Sequence, residues 1–143
     1  MGVRVPLVPR WLRWSAVVAV AAVVFYLSVV TAPPEAPVAP APPDLIPLDK
    51  WRHFFAYAAL AGSLAYATAT REWRARTLAA FVIGLTVAYG VGIEFAQSGI
   101  PDRYFSVDDA YANALGALLV APWFALRHRL SFVRVPAGDT SEE

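Results

Sequence analysis

Four apolar stretches, each close to the length that crosses a bilayer, constrain this chain more than any other feature. Trp14 to Ala32 runs nineteen residues without a charge, and at about 1.5 Å per helical residue that crosses a hydrocarbon core about 30 Å thick. His53 to Thr70, Leu78 to about Gln97 and Ala110 to Leu126 follow, each near the minimum length for a span. Composition agrees: 58% of residues are hydrophobic and 16% charged, against about 45 to 50% and about 25% in soluble domains. Mean hydropathy is +0.49. The expected fold is therefore all-α, a four-transmembrane-helix bundle in a multi-pass protein of the plasma membrane, with residues 14–126 as the membrane domain.

The Lys and Arg count of the short connections sets the orientation. Arg4, Arg10 and Arg13, then Arg71, Arg74 and Arg76, then Arg127, Arg129 and Arg134 put nine cations on one side, against Lys50, Arg52 and Arg103 on the other. The side with nine is expected to be cytoplasmic, which places the 1–13 N-terminus and the 127–143 tail inside. Trp11, Trp14, Trp73 and Trp123 near the inner boundary, with Trp51 and Tyr104 near the outer one, fit interfacial aromatic belts. Arg4, Arg10 and Arg13 ahead of an apolar core also resemble a secretory signal, cut after Val30-Thr31-Ala32. Pro33 disfavours that cut and the apolar core exceeds the usual about 7 to 15 residues, so helix one is read as an anchor.

Small residues recur at helical spacing, as Gly84-xxx-Ala88-xxx-Gly92, Ala58-xxx-Gly62, Ala59-xxx-Ser63 and Ala112-xxx-Gly116, and favour close helix packing within one chain or between copies in a homo-oligomer. Helix one lacks a central polar residue and is expected at the lipid-facing edge. Residues 33–47 hold seven of the twelve prolines and read as a polyproline-II spacer on the outer side; Ala137 to Glu143 reads as a frayed tail. A net charge of +1 gives no nucleic-acid footprint, and the absence of cysteine removes disulfides, thiolate ligands and a cysteine nucleophile.

The polar residues gather at the outer ends of helices two, three and four. Asp49, Lys50 and His53 open helix two, and spacing of four puts Asp49, His53 and Tyr57 on one face. Glu94 and Gln97 share a face near the outward end of helix three; Asp102 and Arg103 follow it; Asp108 and Asp109 lead into helix four, with Asn113 one turn inside. Asp49, Asp108 and Asp109 also suit helix starts as caps and dipole partners. Lys50 and Arg52 also suit snorkelling to headgroups, and Arg103 also suits pairing with Asp102 or Asp108. A carboxylate and an amide at bilayer depth, however, normally face a partner or a cavity. The set offers proton-transfer groups, ligands for a metal, and cations suited to phosphate.

Asp49-Lys50-x-x-His53-Phe54-x-x-Tyr57, Glu94-x-x-Gln97, and Arg103 through Asp109-x-x-x-Asn113-x-x-Gly116 together resemble the VanZ-like family of small membrane proteins. The resemblance covers residues 49 to about 120 and leaves the proline-rich loop and both ends outside it. The family is named for an accessory protein of glycopeptide (teicoplanin) resistance, so the resemblance implies a link to envelope-antibiotic tolerance. It marks Asp49, Lys50, His53, Glu94, Gln97, Arg103, Asp109 and Asn113 as functional positions without assigning their roles.

The expectation is an outward-facing pocket that binds or modifies a lipid-linked or envelope headgroup, with membrane lipids as partners. Its residues are His53, Glu94 and Asp109 for catalysis, with Asp49, Lys50, Gln97, Arg103, Asp108 and Asn113 around the ligand. Two alternatives stand beside it: a membrane metalloenzyme on His53, Glu94 and Asp109, and a noncatalytic scaffold or partner subunit in which the polar set clamps the helices. No cofactor is assigned.

Overall fold

The computed structural model describes residues 2–31 and 48–135. The proline-rich spacer 33–47 and the tail from Ala137 to Glu143 lie outside the described residues. The elements run β1 (Val3–Leu7), α1 (Arg10–Phe25) continued by a π-turn (Tyr26–Val30), α2 (Leu48–Ala67), α3 (Ala75–Gln97), α4 (Val107–Leu118), α5 (Ala121–Ala125), a 3-10 turn (Arg127–Arg129) and β2 (Leu130–Arg134).

Among the described residues, two helices are long and apolar enough to cross a membrane, Arg10–Val30 and Ala75–Gln97. The first is the less buried of the two, so helix one does lie at the edge of the bundle. α3 turns one stripe inward, Leu78, Val82, Thr86, Gly90, Ile93, Glu94 and Gln97, whose steps of three and four follow the helical period. α2 lies centrally and packs on α1, α3 and α4, with its broadest contact against α4. Gly116 makes that contact possible: a Cβ there would strike the backbone carbonyl oxygen of Phe54 and come within 3.1 Å of the Ala58 nitrogen. The Ala112-xxx-Gly116 pair thus serves helix packing, both residues being buried.

The structure departs from the sequence expectation in three places. The fourth apolar stretch is not one helix. α4 stops at Leu118 and α5 restarts around Pro122, which has no N–H to give the Leu118 carbonyl and whose ring crowds it. Gly84, Ala88 and Gly92 are exposed, and added Cβ atoms at both glycines meet nothing within 4 Å, so that stripe packs on no helix among the described residues. The fold is also not purely helical, because β1 and β2 pair in parallel from Val3 beside Leu130 to Leu7 beside Arg134.

That strand pair sits at the end of the bundle where α1 begins and α2 finishes. Tyr66 of α2 donates its hydroxyl to the Pro6 carbonyl at 2.7 Å and accepts the Val8 N–H at 3.2 Å. Arg13, buried, donates Nη1 to the carbonyls of Tyr66 and Ala67 at 3.2 and 3.3 Å. Arg127 donates Nη2 to those of Ala69 and Arg71, both at 2.7 Å. The Tyr66 and Ala67 carbonyls that close α2, and the Ala69 and Arg71 carbonyls of the turn after it, are thus met by two guanidinium groups from distant parts of the chain, the sign of charge that a helix C-terminus favours.

Candidate functional site

The opposite end of the bundle collects the polar residues, because α2 and α4 start there and α3 ends there. The α3–α4 connection contains Asp102 at φ 61, a left-handed conformation that Asp tolerates better than most residues. Ser106 then caps α4, its Oγ accepting the Asp109 N–H at 3.2 Å. In the usual capping box the acidic residue three positions on reaches back to the cap's own N–H. Here the Ser106 N–H donates instead to Glu94 Oε2 of α3 at 3.3 Å, and the Asp109 carboxylate turns toward α2.

On α2, Lys50 Nζ lies 2.6 Å from Asp109 Oδ1 and 3.0 Å from Asp49 Oδ2. One turn further, His53 Nε2 is 3.9 Å from the same Asp109 oxygen, and Nδ1–H donates to Asn113 Oδ1 at 3.0 Å. One ligand atom each from His53, Glu94 and Asp109 lie within 4.8 Å of one another. Glu94 is fully buried, as are Asn113 and Tyr57. Glu94 Oε1, Asn113 Nδ2 and the Tyr57 hydroxyl have no hydrogen-bond partner among the described residues, although buried polar atoms are nearly always paired. Gly90 lets these groups meet, since a Cβ there would lie 2.9 Å from Tyr57 Cε1 and 3.1 Å from Asn113 Nδ2.

The charges ahead of the apolar stretch of α2 are mutually adapted. Burial alone would raise the Asp49 carboxyl and lower the Lys50 ammonium, but each is overruled by its partners. Hydrogen bonding and the charge of Lys50 hold Asp49 below its usual value, while Asp109 and Asp49 together hold Lys50 above its own. Lys50 therefore stays an ammonium already shared between two carboxylates.

The structure joins Asp49, Lys50, His53, Glu94, Asp109 and Asn113, six of the nine expected residues. Gln97 goes elsewhere: it is buried, and its amide donates to the Ser28 carbonyl of the π-turn at 2.8 Å, tying α3 to helix one. Asp108 is exposed beside the buried Asp109, and Arg103 is half-buried in the α3–α4 connection. Asp49 is not the N-cap of α2 but lies inside its first turn, because the helix already includes Leu48. Two contributors went unassigned in the sequence. Ser106 was legible as the start of a Ser-x-x-Asp capping pattern; Tyr57, on the His53 face, had only its spacing to recommend it.

The family model described as VanZ/LLP1 matches residues 12–127, taking in the three helices of this cluster and helix one. The chain belongs to the VanZ/LLP1 family. No curated protein and no solved structure matches it. Membership extends the resemblance beyond residues 49 to 120, since the VanZ/LLP1 match begins inside α1 and runs through α5. It assigns no ligand and no chemistry, which fold and family do not determine.

Proposed function

We propose that this VanZ/LLP1 member is an integral plasma-membrane protein of four spans with both termini cytoplasmic, whose outward-facing pocket binds the headgroup of a lipid-linked or envelope molecule. The carrying observation is Glu94, a fully buried carboxyl whose Oε1 has no partner among the described residues, set among polar side chains from three helices. A headgroup hydroxyl or amine is the donor that this oxygen lacks. Lys50 and Arg103 are the cations on the same side for phosphate, and His53 and Asp109 are the groups for proton transfer. Large apolar side chains exposed along the helices, among them Val18, Leu27, Phe81, Leu85, Phe95, Leu115 and Leu119, support a lipid setting. α2, at twenty residues, has the length of a span, and α4 with α5 together cover the fourth stretch.

The test is native mass spectrometry of the detergent-purified protein, in the presence of a chelator, with a polyprenyl phosphate and anionic phospholipids. Wild type is expected to retain one lipid, and Lys50→Ala combined with Arg103→Ala to lose it. Unchanged retention of every anionic lipid by the double variant overturns the anion-binding version.

The scaffold reading is favoured by one specific observation: Lys50–Asp109 and His53–Asn113 both tie α2 to α4. In that reading the pocket holds the helices together, and substitutions in it cost folding rather than binding.

A further inference from the structure

We infer that His53, Glu94 and Asp109 form a divalent-metal site, with Lys50 as the cation the metal displaces. The inference rests on the pocket described above being a ligand site, but its test uses metal alone, so the two readings fail separately.

Three observations carry it. The first is the donor set: an imidazole nitrogen and two carboxylate oxygens from three helices within 4.8 Å of one another. A metal about 2.1 Å from each of three ligands holds them about 3.4 to 3.6 Å apart, so the widest pair closes by about 1.2 Å, within reach of side-chain rotation, to form the site. The second is the histidine's orientation. With Nδ1–H donated to Asn113 Oδ1 at 3.0 Å, neutral His53 presents the Nε2 lone pair to the Asp109 oxygen 3.9 Å away. The Asp109 oxygen across that gap is held by Lys50 Nζ at 2.6 Å, the cation a metal there would displace, and a ligating histidine held at its other nitrogen by a carbonyl is the usual outer-shell arrangement of metal sites. The third is Glu94, fully buried, with Oε2 taken by the Ser106 N–H and Oε1 without a partner among the described residues.

Charge completes the argument. The cluster sets three carboxyl groups, Asp49, Glu94 and Asp109, against the single amine of Lys50, a surplus of acidic groups that suits a dication. One imidazole with carboxylates suits Zn²⁺ or Mn²⁺ better than Ca²⁺, which takes six to eight oxygens. Three protein ligands leave an open coordination position, where a phosphate or a water binds.

The experiment is equilibrium binding of Zn²⁺ and of Mn²⁺ to chelator-stripped, detergent-purified protein, with metal content read by mass spectrometry after gel filtration. Wild type is expected to hold one equivalent. Glu94→Gln and Asp109→Asn are expected to weaken binding at least tenfold while eluting as wild type does. Asn113→Ala, which frees the histidine ring, is expected to weaken binding by about 10- to 100-fold. Lys50→Met is expected to tighten binding, because Asp109 is no longer shared; a merely structural ion pair gives no such gain. Failure of wild type to retain either metal overturns the site. So does metal retained equally by Glu94→Gln and Asp109→Asn, which would place it on surface carboxylates. Should Asp109→Asn fail to fold, Lys50→Met and Glu94→Gln still decide, since their expected effects are opposite in sign.

Discussion

The Ser106 backbone N–H donates to Glu94 Oε2 at 3.3 Å, joining the last turn of α3 to the cap of α4. That contact does two things. It gives one oxygen of a buried carboxyl a backbone partner, and it releases Asp109 from reaching back to its own cap, so that its carboxylate meets Lys50 and His53 instead.

The division between site and clasp is decided by stability. In one fixed detergent, Glu94→Gln is expected to melt within a few degrees of wild type, a change under about 1 kcal/mol, because the amide oxygen still accepts the Ser106 N–H. His53→Ala and Asp109→Asn are expected to follow it. A large common fall in melting temperature supports the scaffold.

Two glycines separate packing from mere composition. Gly116→Ala is expected to cost about 1 to 3 kcal/mol, since its Cβ meets the Phe54 carbonyl of α2, backbone that cannot turn aside. Gly92→Ala meets open space and is expected to be neutral or stabilising by up to about 1 kcal/mol, through helix propensity alone. Thermal or denaturant unfolding of the two variants side by side checks the contrast.

At the other end, Arg13→Met removes the guanidinium from the carbonyls of Tyr66, which keeps the Ala69 N–H, and Ala67, while keeping the side chain's apolar length. The expected loss is about 1 to 3 kcal/mol. Arg127→Met takes the guanidinium from the Ala69 and Arg71 carbonyls of the turn after α2, and the double variant is expected to depart from additivity because the two groups brace consecutive carbonyls of one reversal of the chain.

Orientation is open to chemical labelling, since the native chain has no cysteine. A single cysteine replacing Ser106 is expected to react with a membrane-impermeant thiol reagent added outside intact cells. One replacing Thr77 is expected to react only after permeabilisation. The reverse pattern inverts the topology, and with it the face on which the pocket opens.

Much was legible in the order of residues. Long uncharged runs can be helices at no cost in unpaired backbone, which is why α1, α2 and α3 appear close to where the hydropathy places them. The polar set at one end was legible for a similar reason: a chain that reverses direction with each helix brings the start of α2, the end of α3 and the start of α4 together. Local spacing also says that His53 and Tyr57 share a face, and Glu94 and Gln97 another.

What only the tertiary structure decided is where each side chain goes once it shares a face. Glu94 and Gln97 are three residues apart, yet one enters the cluster and the other crosses to the Ser28 carbonyl, because helix one lies beside that turn of α3. Gly84, Ala88 and Gly92 have the spacing of a packing stripe but are exposed, while Gly90, outside that register, faces Tyr57 and Asn113. Arg13 and Arg127, counted in the sequence as charges beside the membrane, bind the carbonyls at the end of α2 and in the turn after it, and β1 pairs with β2, residues 3 and 130 lying side by side. Spacing determines the face a residue occupies along its own helix. Which neighbour that face meets depends on the rotation and crossing of the helices, which close backbone approaches such as Gly116 against Phe54 help to set.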